Sequence, residues 1–301
     1  MPEVKGIKRA KALLQEGHVE EAEALLESIA SSARYASEYR TEAEAFRELG
    51  MAQLNGARPH PAVSSLQYAW RAAESVADPA IQSDIMYWLA RAHLAANDPR
   101  TAETFLLRCV VAREETPDLR PLLGMSYLYL AFAAAGCDNL RVSIAANQKG
   151  LAWSTERGEK ALAAGFAFNL GVDFFDIRDF KSAASWFLDA RKAYQALKRP
   201  RDAALVLYLA GRSHFESGDS EQARDAFSQA LMESHTQGDR ENMGYCSAAL
   251  AQVSMQKGDI WTAVGQFDEA RIAFRDLDDL ERSFTCYNWA EAARAFWKSR
   301  R

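Results

Sequence analysis

Cysteine, proline and long apolar runs are scarce in this chain, and each scarcity removes a class of explanation. Four cysteines in 301 residues, Cys109, Cys137, Cys246 and Cys286, stand far apart with no CxxC pair. That spacing argues against a disulfide framework or a zinc cluster and for small core residues. The eight prolines leave long stretches free of helix breakers; Pro59, Pro61, Pro79, Pro117, Pro121 and Pro200 read as loop positions, and Pro99 as a first-turn residue. The longest apolar run, Leu122 to Cys137, is too short to span a membrane and carries the small-residue spacing of a buried helix.

Excess positive charge is missing as well. Lys and Arg number 36 against 41 Asp and Glu, a net charge of −5, so nothing draws the whole chain to nucleic acid or to an anionic membrane. The few basic residues at the ends, among them Lys5, Lys8, Arg9, Lys298, Arg300 and Arg301, read as solvated helix termini. Met1 is followed by Pro2, Glu3 and Val4 with no charged-then-apolar leader, and the expected location is the cytoplasm. Catalytic signatures are absent too: no glycine-rich phosphate loop, HExxH pair, GxSxG elbow or dinucleotide fingerprint occurs. His93 and His214 share one repeat position and read as packing residues, while Asp173, Asp176 and Asp179 read as a helix end with a cap. Asp276, Asp278, Asp279 and Glu281 lack the glycine and ligand order of a calcium loop. The expectation is a protein without catalytic residues, metal or cofactor.

What the chain has in quantity is a period. A small residue recurs at Ala22, Ala62, Ala102, Ser143, Ala183, Ala223 and Ala263, at gaps of 40, 40, 41, 40, 40 and 40. Twelve residues earlier runs a second small column, Ala10, Gly50, Ala90, Ala131, Gly171, Gly211 and Ala251, where two helices must approach closely. Bulky residues follow the first column by four positions, at Leu26, Leu66, Leu106, Phe187, Phe227 and Phe267, on the same helical face. Turn signals lie between, at Gly17-His18, Asn97-Asp98-Pro99, Gly218-Asp219 and Gly258-Asp259: Gly or Asn closes one helix and Asp caps the next. Each unit is therefore a helical hairpin that buries its apolar face only by stacking on its neighbours.

The pattern Leu170-Gly171-x-x-Phe174 with Ala183, Phe187 and Ala190, repeated as Ala210-Gly211-x-x-His214 with Ala223, Phe227 and Ala230, resembles the tetratricopeptide repeat. Unit four, with Ser143, Asn147 and Gly150, departs from it. The forty-residue period exceeds the usual ~34 and is similar to the repeats of Rap-type peptide receptors, MalT-type sensor arms and Leu-Gly-Asn-repeat adaptors. HEAT repeats share the length, but the small columns favour the tetratricopeptide reading. The resemblance implies an all-α, right-handed solenoid of about seven hairpins in one domain, residues 1–301. Its units run about 3–36, 37–77, 78–117, 118–157, 158–198, 199–238 and 239–277, with a capping helix at 278–301.

In such solenoids the first helix of each unit lines the concave side. One row there reads Ile7, Arg47, Tyr87, Leu128, Phe168, Tyr208, Ala248, Asn288, and the next reads Lys11, Met51, Arg91, Phe132, Val172, Arg212, Gln252, Ala292. A third, Leu14, Leu54, Leu94, Ala135, Phe175, Phe215, Met255, Ala295, is the one closest to a core row. The candidate partner-binding residues are Arg47, Tyr87, Arg91, Leu128, Phe132, Phe168, Val172, Phe175, Tyr208, Arg212, Phe215, Gln252 and Asn288. Exposed aromatics call for a covering partner, and the arginines for carboxylates or peptide carbonyls; the competing readings are packing between long helices and solvated charge.

On the last helix, Phe284 and Tyr287 fit the face toward unit seven. Cys286, Trp289, Ala293 and Phe296, with Trp297, form a second stripe, read either as a homodimer or partner contact or as a fold-back into the groove mouth. The expected role is a non-enzymatic scaffold holding a peptide or helical segment of a partner protein. The alternative is a peptide-responsive regulator that holds or releases a response regulator or transcription factor.

Overall fold

The computed structural model describes residues 2–299, with side chains described from Lys5 onward; Arg300 and Arg301 of the terminal basic group lie outside the described residues. Within that span lie fifteen α-helices, one 3-10 helix and no strand. The helices are α1 (Pro2–Glu16), α2 (Val19–Tyr35), α3 (Tyr39–Asn55), α4 (Pro59–Ala73), α5 (Pro79–Ala95), α6 (Pro99–Glu115), α7 (Leu123–Gly136) and α8 (Leu140–Glu156). They continue as α9 (Lys160–Asp176), α10 (Phe180–Ala196), α11 (Pro200–Glu216), α12 (Ser220–Gln237), α13 (Arg240–Gln256), α14 (Ile260–Arg275) and α15 (Leu280–Lys298). Taken in order they make seven hairpins with α15 left over. The fold is all-α and built of stacked helical pairs.

One turn recurs in every hairpin. The residue before the second helix's cap is in the left-handed region: Gly17 (φ 86), Ala57 (φ 54), Asn97 (φ 60), Asp138 (φ 59), Arg178 (φ 63), Gly218 (φ 86) and Gly258 (φ 79). The next amide then reaches back five residues to a free carbonyl at the end of the first helix, as in Asp98 N to His93 O (2.8 Å) and Asp219 N to His214 O (2.9 Å). Asp98, Asp179, Asp219 and Asp259 each accept the amide three residues on, at 3.1–3.3 Å, starting the second helix. Pro59, Pro61, Pro79 and Pro200 lie in the first turn of their helices rather than in loops, and Pro99 does so as expected, because a missing N–H costs nothing there. Pro117 and Pro121 belong to the 3-10 helix Pro117–Leu122.

The two small columns meet bulky partners. Ala22, Ala62, Ala102, Ala183, Ala223 and Ala263 are fully buried. A Cβ added at Gly171 would stand 2.6 Å from the Phe187 ring, and one at Gly211 2.8 Å from Phe227, so the close approach of first and second helix requires glycine there.

The packing resolves into two compact units, Met1–Trp153 and Ser154–Arg301. Within the first, α1 touches α3, α3 touches α5 and α5 touches α7, while α2, α4 and α6 interleave between them. Within the second, α11 touches α13, with α12 and α14 behind. First helices approach one another more closely than second helices do, so in each unit they form the inner layer.

A candidate binding surface on the first helices

In the unit Met1–Trp153 the inner layer is charged at one end and aromatic at the other. Arg47 on α3 is bound by Asp84 (2.9 Å) and Glu48 (2.5 Å), and Glu48 also takes Lys11 (2.8 Å). Arg47 is therefore spoken for by carboxylates. Arg91 on α5 has no carboxylate within 4.0 Å among the described residues; its guanidinium lies over Trp88 (4.4 Å), Tyr129 (5.0 Å) and Tyr87 (5.7 Å). Tyr87 itself is buried, and burial pushes its phenol up to about 12 in spite of Arg91 and Arg113 nearby. Leu128 is half-buried, whereas Phe132, one turn further along α7, is 66% exposed.

The unit Ser154–Arg301 carries the more enclosed site. Phe168, Val172 and Phe175 on α9 are half-buried and pack around Phe187 and Ala210. Tyr208 and Phe215 on α11 are half-buried against the core around Phe227 and Leu250. A cavity of about 270 Å³ opens between α11, α13 and α15, lined by Tyr208, Arg212, Phe215, Glu216, Phe227, Tyr245, Ala248, Ala249, Gln252, Phe274, Glu281, Arg282, Thr285, Cys286 and Trp289. Tyr208 and Tyr245 stack with ring centroids 5.7 Å apart. Burial raises both phenols while a neighbouring arginine, Arg212 or Arg282, opposes it.

Two arginines at the mouth differ. Arg282 is held by Glu241 (3.1 Å) and Asp279 (3.3 Å) and lies over the Tyr245 ring at 5.1 Å. Arg212 lies over Phe175 at 5.3 Å and beside the Tyr208 phenol, with no carboxylate within 4.0 Å among the described residues. Cys286 closes the floor, and burial pushes its thiol up to about 11, so at neutral pH it is an apolar wall rather than a nucleophile.

Of the sequence candidates, Tyr208, Arg212, Phe215 and Gln252 come together at this cavity, and Trp289, read either as a homodimer or partner contact or as a fold-back into the groove mouth, lines it from α15. Asn288 is exposed beside them. Phe296 is 43% exposed, and Trp297 packs edge-on against Trp261 at 4.7 Å.

The face assignment on α15 is reversed from the sequence expectation. Cys286 and Ala293 are buried against α14, while Phe284 is 64% and Tyr287 45% exposed. The reason is that no second helix pairs with α15 among the described residues, so the face that packs inside every earlier hairpin is bare here.

Tetratricopeptide repeat family profiles match residues 7–28 and 85–108, and 205–231. These segments fall in hairpins one, three and six. Those three hairpins match the tetratricopeptide repeat. The solved structure of apo RapI superposes with a TM-score of 0.60 at 14% identity, over 86% of this chain and 99% of its own. A signal-transduction ATPase with a tetratricopeptide repeat sensor from Pyrococcus horikoshii gives 0.58 at 14%, over 98% of this chain and 50% of its own. Aspartyl phosphate phosphatase F from Bacillus subtilis gives 0.57 at 13%, over 90% and 74%. At such identities the likeness concerns the fold. No curated protein matches the sequence.

The forty-residue spacing singles out rows on the first helices, but it does not supply Tyr245, Ala249, Phe274, Arg282 and Thr285, which the candidate rows left out. Among the described residues no cluster of His, Cys, Asp or Glu is arranged to hold a metal, and no helix is long and apolar enough to cross a membrane. His93 is buried, stacks on Phe105 and bonds Asp98 through Nδ1 at 3.1 Å, so it completes the turn of its hairpin.

Proposed function

We propose that this chain is a non-enzymatic scaffold that captures a segment of a partner protein on the inner layer of first helices. The observation that carries the reading is the cavity between α11, α13 and α15: aromatic walls, an arginine without a carboxylate partner and an exposed amide, Gln252, converge on one accessible place. Rigid, preformed helices lower the ordering cost on the receptor side, and a few buried aromatic contacts supply most of the affinity.

A second reading follows from the fold likeness to RapI and to aspartyl phosphate phosphatase F. A short peptide taken up by the same layer would change the spacing of the hairpins and so hold or release a signalling partner. Titration with short peptides followed by small-angle scattering separates the two, because the regulator changes its scattering profile on binding and the scaffold does not.

Peptides selected on the protein from a random display library test the capture itself. The double variant Arg212→Ala with Gln252→Ala is expected to weaken a selected peptide by about tenfold. Arg224→Ala on α12, in the second layer, leaves it unchanged. Equal effects from both sites contradict the placement.

A further inference from the structure

The first helices run in register, so each residue can be compared with its counterparts one hairpin away. In the row through Tyr208 and Asn288 the residue on α13 is Ala248, and in the adjacent row, between Leu209 and Trp289, it is Ala249. Every other first helix carries a larger side chain at both places. Two adjacent truncations on one helix, flanked by large residues on the helices either side, are what opens the 270 Å³ cavity.

We propose that this gap is a keyhole for one large uncharged side chain, of the tryptophan or phenylalanine class, presented by an extended peptide segment; the inference rests on the capture reading above. Volume decides the size of the occupant. The cavity, at about 270 Å³, lies at the lower edge of the ~300–1,000 Å³ of ligand sites, room for one large anchoring side chain. The walls decide its polarity, since Tyr208, Tyr245, Trp289 and the deeper Phe227 and Phe274 offer ring faces and edges.

The rim decides its charge. Arg282 is neutralised by Glu241 and Asp279. The mouth residues without an ion pair among the described residues are then Arg212, Glu216 and Glu281, one cation against two carboxylates. An anion gains nothing from leaving water for a mouth with that surplus of carboxylates, and a cation must shed its hydration to pass between the rings, which an uncharged ring need not do. A peptide group gains from both signs, because its carbonyl accepts from Arg212 or Gln252 and its N–H donates to Glu216 or Glu281. The backbone either side of the anchor thus matches the rim in charge and in hydrogen-bonding capacity.

N-acetyl-tryptophanamide is the smallest probe with this chemistry, an indole between two peptide groups. Ligand-observed NMR is expected to show it binding the full chain. In the wild-type protein, intermolecular NOEs should place its indole against Tyr208, Tyr245 and Trp289. Ala248→Phe fills the gap, and the same row already carries Phe168, Tyr208 and Leu128, so the fold has room for it; Ala248→Leu is the milder filling. Both are expected to weaken the probe by about tenfold or more with an unchanged circular-dichroism melt, and N-acetyl-lysinamide and N-acetyl-glutamic acid amide bind more weakly than the tryptophan probe. Equal binding by the filled variants, tighter binding of either charged probe, or no NOE to these rings overturns the keyhole. Library-selected peptides that ignore Ala248→Phe leave the scaffold reading standing and remove the keyhole; a library that yields no binder removes both.

Discussion

At the residue scale the hairpin turns carry a cost that can be measured. Ala57, Asp138 and Arg178 hold the left-handed position that Gly17, Gly218 and Gly258 fill elsewhere. An L-residue pays about 1–2 kcal/mol for that conformation, so Ala57→Gly is expected to stabilise the chain by about 0.5–1 kcal/mol after the extra unfolded-state entropy of glycine is subtracted. Urea denaturation checks it. The opposite sign is expected at Gly211, where valine would force a Cβ to within 2.8 Å of the Phe227 ring; Gly211→Val should lose about 1–3 kcal/mol. His214 sets a pH dependence. Burial lowers its pKa from 6.5, against a smaller upward pull from Asp219, so the folded chain binds that proton less readily than the unfolded chain. Its contribution to stability is full above pH 6.5 and is lost as pH falls through the lowered folded value. Melting curves between neutral and mildly acidic pH should therefore fall less steeply for His214→Phe. Turns with Gly or Asn were legible in the sequence; those at Ala57, Asp138 and Arg178 were not, because tertiary packing holds residues there that local preference disfavours.

At the scale of the element, α15 is the informative case. Phe284 stands in a column that reads Ala43, Ser83, Gly124, Ala164, Ala204 and Gly244 in the earlier hairpins, and Glu291 in the column Gly50, Ala90, Ala131, Gly171, Gly211 and Ala251. At Gly244 a Cβ would come within 2.7 Å of Phe274, so the small residue of that column is tightest in the seventh hairpin. The two apolar stripes of α15 were visible in the sequence, but which of them is covered depends on a helix that is not paired there, and periodicity alone carries no such information. Phe284→Gln is expected to change stability by less than about 0.5 kcal/mol, the usual range for an exposed site. Cys286→Ser, a nearly isosteric change at a buried position against Phe274, should cost about 1–3 kcal/mol for the unsatisfied hydroxyl. Thermal melts of the two variants side by side check the face assignment.

For the whole molecule, the forty-residue period made the fold readable from end to end, because a repeated small-bulky alternation has one economical packing. The binding site was only partly readable. Its rows named Tyr208, Arg212, Phe215 and Gln252, and Ala248 stood in one of them as the small residue among large ones. Tyr245, Arg282 and Phe274 arrive from other faces and other helices, which a row cannot show. The most direct test of the central claim, that the inner layer of first helices is where a partner segment is held, is photo-crosslinking with a benzophenone residue. Placed at Gln252 on α13, it should give covalent adducts with a library-selected peptide, and placed at Arg224 on α12 it should give none. Adducts at Arg224 equal to those at Gln252, or adducts at neither position while the peptide remains bound, would contradict the account.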